Sequence, residues 1–163
     1  MNLYIFDCDG VILDSPRRTP ENILKWETYY DTTFPYKLGW WSKLESMDNN
    51  VFDIKPRIGI MDDYRRARND KDGYCILLTS RMNTFKNIIT KILNMYDFKF
   101  DKYIFKRFGR TKPQRVEEIL DKLPDIKYIE IWDDREEELK LYQQWYDEII
   151  SVRTDLIIKI NKV

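Results

Sequence analysis

The sequence contains no histidine among its 163 residues. Catalytic machinery in which histidine activates a serine or a cysteine is therefore excluded, and so are zinc sites built on imidazole ligands. Phosphoesterase mechanisms that use histidine as a base or nucleophile are excluded as well. Any catalysis by this chain must rely on carboxylates, hydroxyls, lysine, arginine and metal ions.

Cysteine, net charge and long apolar runs are also scarce. Cys8 and Cys75 lie in apolar stretches, so we expect two buried thiols and a reducing compartment. The 28 basic and 28 acidic residues cancel, which excludes binding of nucleic acid by a global positive field and leaves only local patches. No stretch is long enough to span a bilayer, and acidic residues precede any long apolar run. We therefore expect a cytoplasmic protein without a signal peptide.

Five short apolar runs predict strands, and helical patterns lie between most of them. This alternation favours an α/β fold in which helices cover both faces of a mainly parallel sheet. We expect residues 1–163 to form one domain. The predicted strands are Leu3–Phe6, Tyr74–Leu78, Tyr103–Phe105, Tyr128–Trp132 and Leu156–Ile160, and the predicted helices between and after them are Asn83–Met95, Pro113–Leu120 and Arg135–Ile149.

Residues 16–73 interrupt this alternation. They contain two predicted helices, Glu21–Tyr30 and Pro56–Asn69, and an aromatic, turn-rich stretch, Phe34–Trp41. The segment is short and has no linker, so it predicts a small insertion after the first strand and no large cap domain.

Polar residues follow several of the predicted strands, at the edge where parallel sheets bind ligands. Asp7 and Asp9 follow the first strand, and Gly10 allows the chain to turn there. A carboxylate pair of this kind can provide a nucleophile and a general acid/base, although it can also simply cap a turn.

The second and fourth strands end in Thr79-Ser80-Arg81 and Asp133-Asp134. A hydroxyl and free N–H groups ahead of a helix can bind an anion, but the same pattern is typical of a helix cap. The adjacent carboxylates are either a solvated turn or ligands of Mg²⁺, and the presence of Asp7 favours the metal.

The stretch Lys102–Arg115 contains six cationic residues and no acidic residue. It can be a solvated basic face, or it can provide the cation that holds a carboxylate and a phosphoryl group together. Lys112 is the first choice for that cation, and Lys106 and Arg115 are the alternatives.

Together these motifs resemble the haloacid dehalogenase (HAD) superfamily, which has a Rossmann-like fold. The matching residues are Asp7-x-Asp9, Thr79, Lys112 and the Asp133-Asp134 pair. The chain is also similar to the HAD domain of Swiss Army Knife RNA-repair proteins and, at the last two motifs, to polynucleotide 3′-phosphatases. The segments that carry the closer resemblance are Gly39-Trp40-Trp41, Leu77–Arg81, Phe100-Asp101, Ile131–Arg135, and Glu138 with Tyr142 in the last helix. Two positions differ from that pattern, because Ser80 replaces a usual glycine and Glu138 a frequent histidine.

The resemblance implies a phosphatase with an aspartyl-phosphate intermediate. It makes Asp7 the nucleophile and Asp9 the acid/base, with Thr79 and Lys112 on the phosphoryl oxygens. Mg²⁺ would be held by Asp7, the Asp9 carbonyl and Asp134, with Asp133 nearby. Ser80, Arg81, Lys106 and Arg115 are the predicted substrate-binding residues.

RNA or DNA ends are the predicted substrates, with the 3′-phosphate of RNA during repair as the leading hypothesis. A basic stretch and either Trp40 or Trp41 could bind the strand, although core packing also accounts for the tryptophans. A phosphatase for nucleotides or other small esters is the alternative. A nucleic-acid-binding module that has lost catalysis is a third hypothesis.

Overall fold

The computed structural model describes residues 1–163 and contains a parallel five-stranded sheet. Its strands are β1 (Asn2–Phe6), β2 (Gly73–Leu78), β3 (Lys102–Ile104), β4 (Tyr128–Asp133) and β5 (Ile157–Lys162). Their order across the sheet is β3-β2-β1-β4-β5, so β1 lies in the centre. The predicted α/β class and the parallel sheet are therefore confirmed.

Six α-helices accompany the sheet: α1 (Pro20–Tyr30), α2 (Asn49–Phe52), α3 (Met61–Asn69), α4 (Lys86–Met95), α5 (Lys112–Leu120) and α6 (Glu136–Ile149). Four short 3₁₀ helices cover Trp40–Ser42, Leu44–Met47, Ile58–Ile60 and Asn83–Phe85. None of the helices combines the length and the apolar character needed to cross a lipid bilayer.

The central strand β1 is apolar on both faces, as a strand buried between two layers of helices requires. Tyr4 and Phe6 pack with residues of α3 and α4 on one face. Leu3 and Ile5 pack with residues of α5 and α6 on the other face. The sheet is therefore the middle of three layers.

The predicted helix Pro56–Asn69 begins too early, because the α-helix starts only at Met61. Pro56 pairs with Leu13 in an isolated bridge, and the Arg57 N–H donates to the Ile12 carbonyl. These contacts hold the chain extended, and the short 3₁₀ helix follows before the α-helix begins. The predicted helix Asn83–Met95 likewise begins as a 3₁₀ turn.

Between β1 and β2, residues 16–73 have a small aromatic cluster of their own, made of Trp26, Phe34 and Trp40. The indole N–H of Trp40 donates to the Pro16 carbonyl at 2.7 Å. This bond ties the aromatic cluster to the segment that leaves β1, beside the carboxyl edge of the sheet.

Candidate active site

The carboxyl ends of β1, β2 and β4 lie side by side, because these three strands are neighbours in a parallel sheet. Asp7 follows β1, Thr79 follows β2, and Asp133 is the last residue of β4. The Asp7 N–H donates to the Trp132 carbonyl at 3.0 Å, which continues the sheet pairing to this edge. The register therefore brings the residues of three separate motifs together.

Lys112 lies at the beginning of α5 and reaches back to two of these carboxylates. Its Nζ is 2.9 Å from Asp7 Oδ1 and 2.5 Å from Asp133 Oδ2. Thr111 and Gln114 form a capping box that fixes the start of the helix. Of the three candidate cations, Lys112 is the one that contacts Asp7.

The charges of this buried group do not balance, because one ammonium is shared by two carboxylates. Burial raises the pKa of the Asp7 carboxyl to about 7, with Lys112 opposing and Asp133 adding to the rise. Burial alone would lower the pKa of Lys112, but Asp7 and Asp133 outweigh it and hold that pKa above its ordinary value. The excess negative charge makes the site suited to a cation.

Carboxylate oxygens of Asp7, Asp133 and Asp134 lie within 4.8 Å of one another. Asp134 Oδ1 is buried and has no hydrogen-bond partner, and burial followed by repulsion from Asp133 raises the pKa of the Asp134 carboxyl. Gly10 makes room for this side chain, since a Cβ at Gly10 would meet Asp134 Oδ2 at 2.2 Å. A hard oxygen-seeking cation such as Mg²⁺ fits this all-carboxylate set and its unpartnered oxygen.

Asp9 lies apart from those three carboxylates and is held by Arg81. The guanidinium donates to both carboxylate oxygens, with Nε 2.9 Å from Oδ2 and Nη2 2.8 Å from Oδ1. Arg81 Nη1 also donates to the Trp41 carbonyl and to the Ser46 hydroxyl. The buried Arg81 therefore fixes the orientation of Asp9 and connects it to residues 16–73.

Thr79 and Ser80, two predicted site residues that follow β2, have different environments. The Thr79 hydroxyl is buried and accepts a bond from the Arg81 N–H at 3.1 Å. Ser80 lines the open cleft, and its hydroxyl lies 3.4 Å from Glu138 Oε1.

Arg115 and Lys106 lie in different places. The guanidinium of Arg115 is buried and donates to the carbonyls of Thr79 and Phe105, so it supports the backbone beneath the site. Lys106 lines the cleft, and its N–H donates to the Arg81 carbonyl at 2.8 Å. Of these two, only Lys106 is placed to contact a substrate.

The cleft above Asp7 and Asp134 has a volume of about 690 Å³ and an almost entirely polar wall, in which Trp41 is the one hydrophobic residue. The sequence reasoning missed several of its residues, because they come from the irregular segment after β1 or from the start of α6. In the segment after β1, the adjacent residues Arg17 and Arg18 were a sequence signal that could have identified this part of the cleft. The missed residues are Asp14, Ser15, Arg17, Arg18, Arg57, Arg135 and Glu137.

A family model described as HAD domain family 1 in Swiss Army Knife RNA repair proteins matches residues 27–163. No curated protein matches the chain. Two solved structures of the Pnkp1/Rnl/Hen1 RNA repair complex are similar, with TM-scores of 0.57 and 0.53 at 14% and 15% identity. Each alignment covers 99% of this chain but only 45% and 42% of the other, so the chain spans less than half of those relatives. At such identities the likeness shows the fold alone.

A HAD-superfamily hydrolase (subfamily IA, variant 1) from Geobacter sulfurreducens PCA aligns over 83% of this chain and 81% of its own. The identity is 14% and the TM-score 0.47.

Proposed function

Because this chain belongs to HAD domain family 1 of Swiss Army Knife RNA repair proteins, we propose that it is a Mg²⁺-dependent phosphatase acting on the 3′-phosphate ends of RNA. The observation that carries the proposal is the contact of Lys112 with Asp7 and Asp133, next to the unpartnered oxygen of Asp134. A buried carboxylate with a lysine partner at the floor of an open cleft is suited to attack on a phosphate ester.

In the first proposed step, a carboxylate oxygen of Asp7 forms a bond to phosphorus while the bond from phosphorus to the leaving oxygen breaks. Asp9 enters this step in its protonated form and donates that proton to the leaving oxygen. In the second step water attacks the phosphorus, Asp9 takes its proton, and inorganic phosphate and the free Asp7 carboxylate are released. Arg81 acts as a positioning residue in both steps, because it orients Asp9 by two hydrogen bonds.

Lys112 and Thr79 would stabilise the negative charge on the transferring phosphoryl oxygens, Lys112 by charge and Thr79 by its hydroxyl. Asp7, Asp134 and Asp133, with the Asp9 carbonyl, would hold Mg²⁺. When bound, the metal would offset the negative charge that Asp7 and the phosphate bring together.

The choice of a nucleic-acid end rests on the family and on the shape of the cleft. We propose that residues 16–73 are an insertion within a single domain and not a lid that closes over a small substrate. The cleft is open to solvent, and its lining contains six cationic side chains and five acidic ones. The cations are Arg17, Arg18, Arg57, Arg81, Lys106 and Arg135, and the acids are Asp7, Asp9, Asp14, Asp134 and Glu137. An open cleft in which several cations lie outside the carboxylate cluster can accommodate a leaving group that continues as a polynucleotide.

Phosphate release from a 3′-phosphorylated oligoribonucleotide tests this function, in Mg²⁺ and after removal of metal with EDTA. A nucleoside 3′-monophosphate and a 5′-phosphorylated oligonucleotide of the same sequence are the comparison substrates, and Asp7→Asn controls for contaminating phosphatases. We expect Mg²⁺-dependent release with the highest kcat/KM for the 3′-phosphorylated oligonucleotide. A higher kcat/KM for the mononucleotide would replace the repair function with a small-molecule phosphatase, and absence of turnover in any substrate would support a binding module.

A further inference from the structure

We propose that the cleft contains a second binding site, formed by Trp41, Ser15, Arg17 and Arg18, for the nucleotide and the phosphodiester that precede the terminal phosphate. This strand subsite rests on the proposed phosphatase function and specifies the substrate further. It makes an oligonucleotide of at least two nucleotides the preferred substrate over a mononucleotide.

The two adjacent tryptophans have different environments. Trp40 is 3% exposed and belongs to the aromatic cluster of residues 16–73, whereas Trp41 is 46% exposed and lines the cleft. The Arg81 guanidinium lies 4.9 Å from the centre of the Trp41 ring, which holds the indole beside the catalytic edge. Arg81 covers one face of the ring, and the exposed remainder of the Trp41 indole is the surface on which a nucleobase can stack.

Trp40 does not line the subsite, but it stabilises the backbone that carries Ser15 and Arg17. Its indole N–H donates to the carbonyl of Pro16, the residue between Ser15 and Arg17. The bond fixes the backbone from which the Ser15 and Arg17 side chains extend. The tryptophan pair thus has two roles, in which Trp40 positions the segment and Trp41 faces the cleft.

The hydroxyl of Ser15 is the observation that points most directly to a ligand. Ser15 is 8% exposed and lines the cleft, and its Oγ is buried without any hydrogen-bond partner. A buried polar group left unpaired is unfavourable, and this cost is removed when a ligand accepts the hydrogen bond. Because the Oγ atom itself is not solvent-accessible, a rotation about χ1 must bring it to the cleft surface before a phosphodiester oxygen can accept its hydrogen bond.

The charges in the cleft indicate an anionic ligand next to Ser15. Arg17 and Arg18 are exposed and neither forms a salt bridge, whereas Arg81 is paired with Asp9 and Arg135 with Glu138. The carboxylate of Asp14 also lines the cleft without a salt bridge, so Arg17 and Arg18 together leave an excess of one positive charge in this part of the cleft, which favours a phosphate group. The cleft thus contains a ring that can stack on a base and a group that can bind a phosphodiester, in addition to the site for the terminal phosphate. These three features match the chemical parts of an oligonucleotide that ends in a phosphate.

The test compares kcat/KM for a 3′-phosphorylated oligoribonucleotide with kcat/KM for p-nitrophenyl phosphate, which lacks both base and phosphodiester. In Trp41→Ala this ratio is expected to fall about tenfold, mainly through KM, as the loss of one base-stacking contact predicts. In Arg17→Ala/Arg18→Ala the ratio also falls, and the slope of log(kcat/KM) for the oligonucleotide against log[salt] becomes shallower by about 1. In Ser15→Ala the ratio falls without a loss of stability, because the hydroxyl has no partner within the protein.

The control is Lys71→Ala/Lys91→Ala, which removes two positive charges from exposed side chains outside the cleft and should leave the ratio and the salt slope as in the wild type. The subsite alone is overturned if the wild type hydrolyses the oligonucleotide but the cleft variants change both substrates by the same factor, or change neither. If the wild type releases no phosphate from the oligonucleotide, the proposed function fails together with the subsite.

Discussion

The Nζ atom of Lys112 lies 2.9 Å from Oδ1 of Asp7, and both side chains are buried. Replacement of Lys112 by methionine keeps most of the volume but leaves Asp7 and Asp133 without their shared cation. We expect kcat for phosphate release to fall by about 10²–10³, as for other buried groups that stabilise a transition state. Lys102→Met, on the exposed end of β3, is the control and should retain activity. Equal activities of the two variants, both folded by circular dichroism, would contradict the role of Lys112.

Asp9 is predicted to protonate the leaving oxygen, so its importance should depend on the leaving group. Asp9→Asn is expected to lower kcat by about 10²–10⁴ for a 3′-phosphorylated oligonucleotide, whose leaving alkoxide needs a proton. The loss in the phosphoryl-transfer step should be smaller for p-nitrophenyl phosphate, because nitrophenolate leaves without protonation. Rapid-quench measurement of the nitrophenolate burst separates this step from hydrolysis of the intermediate. An equal loss for both leaving groups in the first step would show that Asp9 is not the acid.

Gly10 is expected to affect metal binding because its lack of a side chain leaves room for the Asp134 carboxylate. Alanine at this position brings a Cβ to 2.2 Å from Asp134 Oδ2 and must displace that carboxylate. We expect Gly10→Ala to lower kcat about a hundredfold and to raise the Mg²⁺ concentration for half-maximal activity.

Gly109→Ala is a matched control for Gly10→Ala. The φ angle is +70° at Gly109 and +78° at Gly10, but no atom lies within 4 Å of a Cβ built at Gly109. The left-handed backbone alone should cost each variant about 1–2 kcal/mol of stability. Only Gly10→Ala should lose activity, so a similar loss in Gly109→Ala would assign the effect to backbone strain.

Glu130 is fully buried in β4 and should make the stability of the protein dependent on pH. Burial by itself would raise the pKa of Glu130, but hydrogen bonds from Arg66, Lys159 and Tyr128 outweigh it and hold the pKa below its ordinary value. Because the pKa is lower in the folded state, the stabilisation is complete above the unfolded-state pKa of about 4.3. It is lost as the pH falls through the folded-state pKa.

Urea unfolding of Glu130→Gln across this pH range checks the prediction. At pH 7 the variant should be less stable than the wild type by about 1–3 kcal/mol, and the difference should shrink as the pH falls below about 4. Glu148→Gln, an exposed substitution in α6, should show no such difference. A difference that stays constant from neutral to acid pH would mean that packing, and not charge, explains the effect.

The sequence predicted the strands well because buried parallel strands are short apolar runs with polar ends, as in β1 and β4. It predicted the position of the candidate site because such strand ends must share one edge of the sheet. The pairing of Arg81 with the Trp41 carbonyl and the Ser46 hydroxyl could not be predicted. It depends on the path of an irregular segment, for which no hydrophobic period fixes the side-chain directions.

Residues of similar chemistry that lie close together in the sequence show the same limit of prediction from sequence. Trp40 and Trp41 are chemically identical neighbours, and only the 3₁₀ turn that they begin decides which one is buried. Arg115 and Lys112 share a helix and a charge, but the turn of α5 directs Lys112 to Asp7 and Arg115 to backbone carbonyls.

The hydrogen bonds of Arg81 have a consequence for how this protein can be re-engineered. Since the same guanidinium binds Asp9 and two groups of residues 16–73, that segment is not an exchangeable module. A graft from a relative must again present a carbonyl and a hydroxyl at the places of Trp41 and Ser46. Without them the guanidinium would keep unused donors in a buried position, and the carboxylate beside it would lose its fixed orientation. Diversity introduced in the segment is therefore best restricted to its outer surface, such as the exposed side of α1.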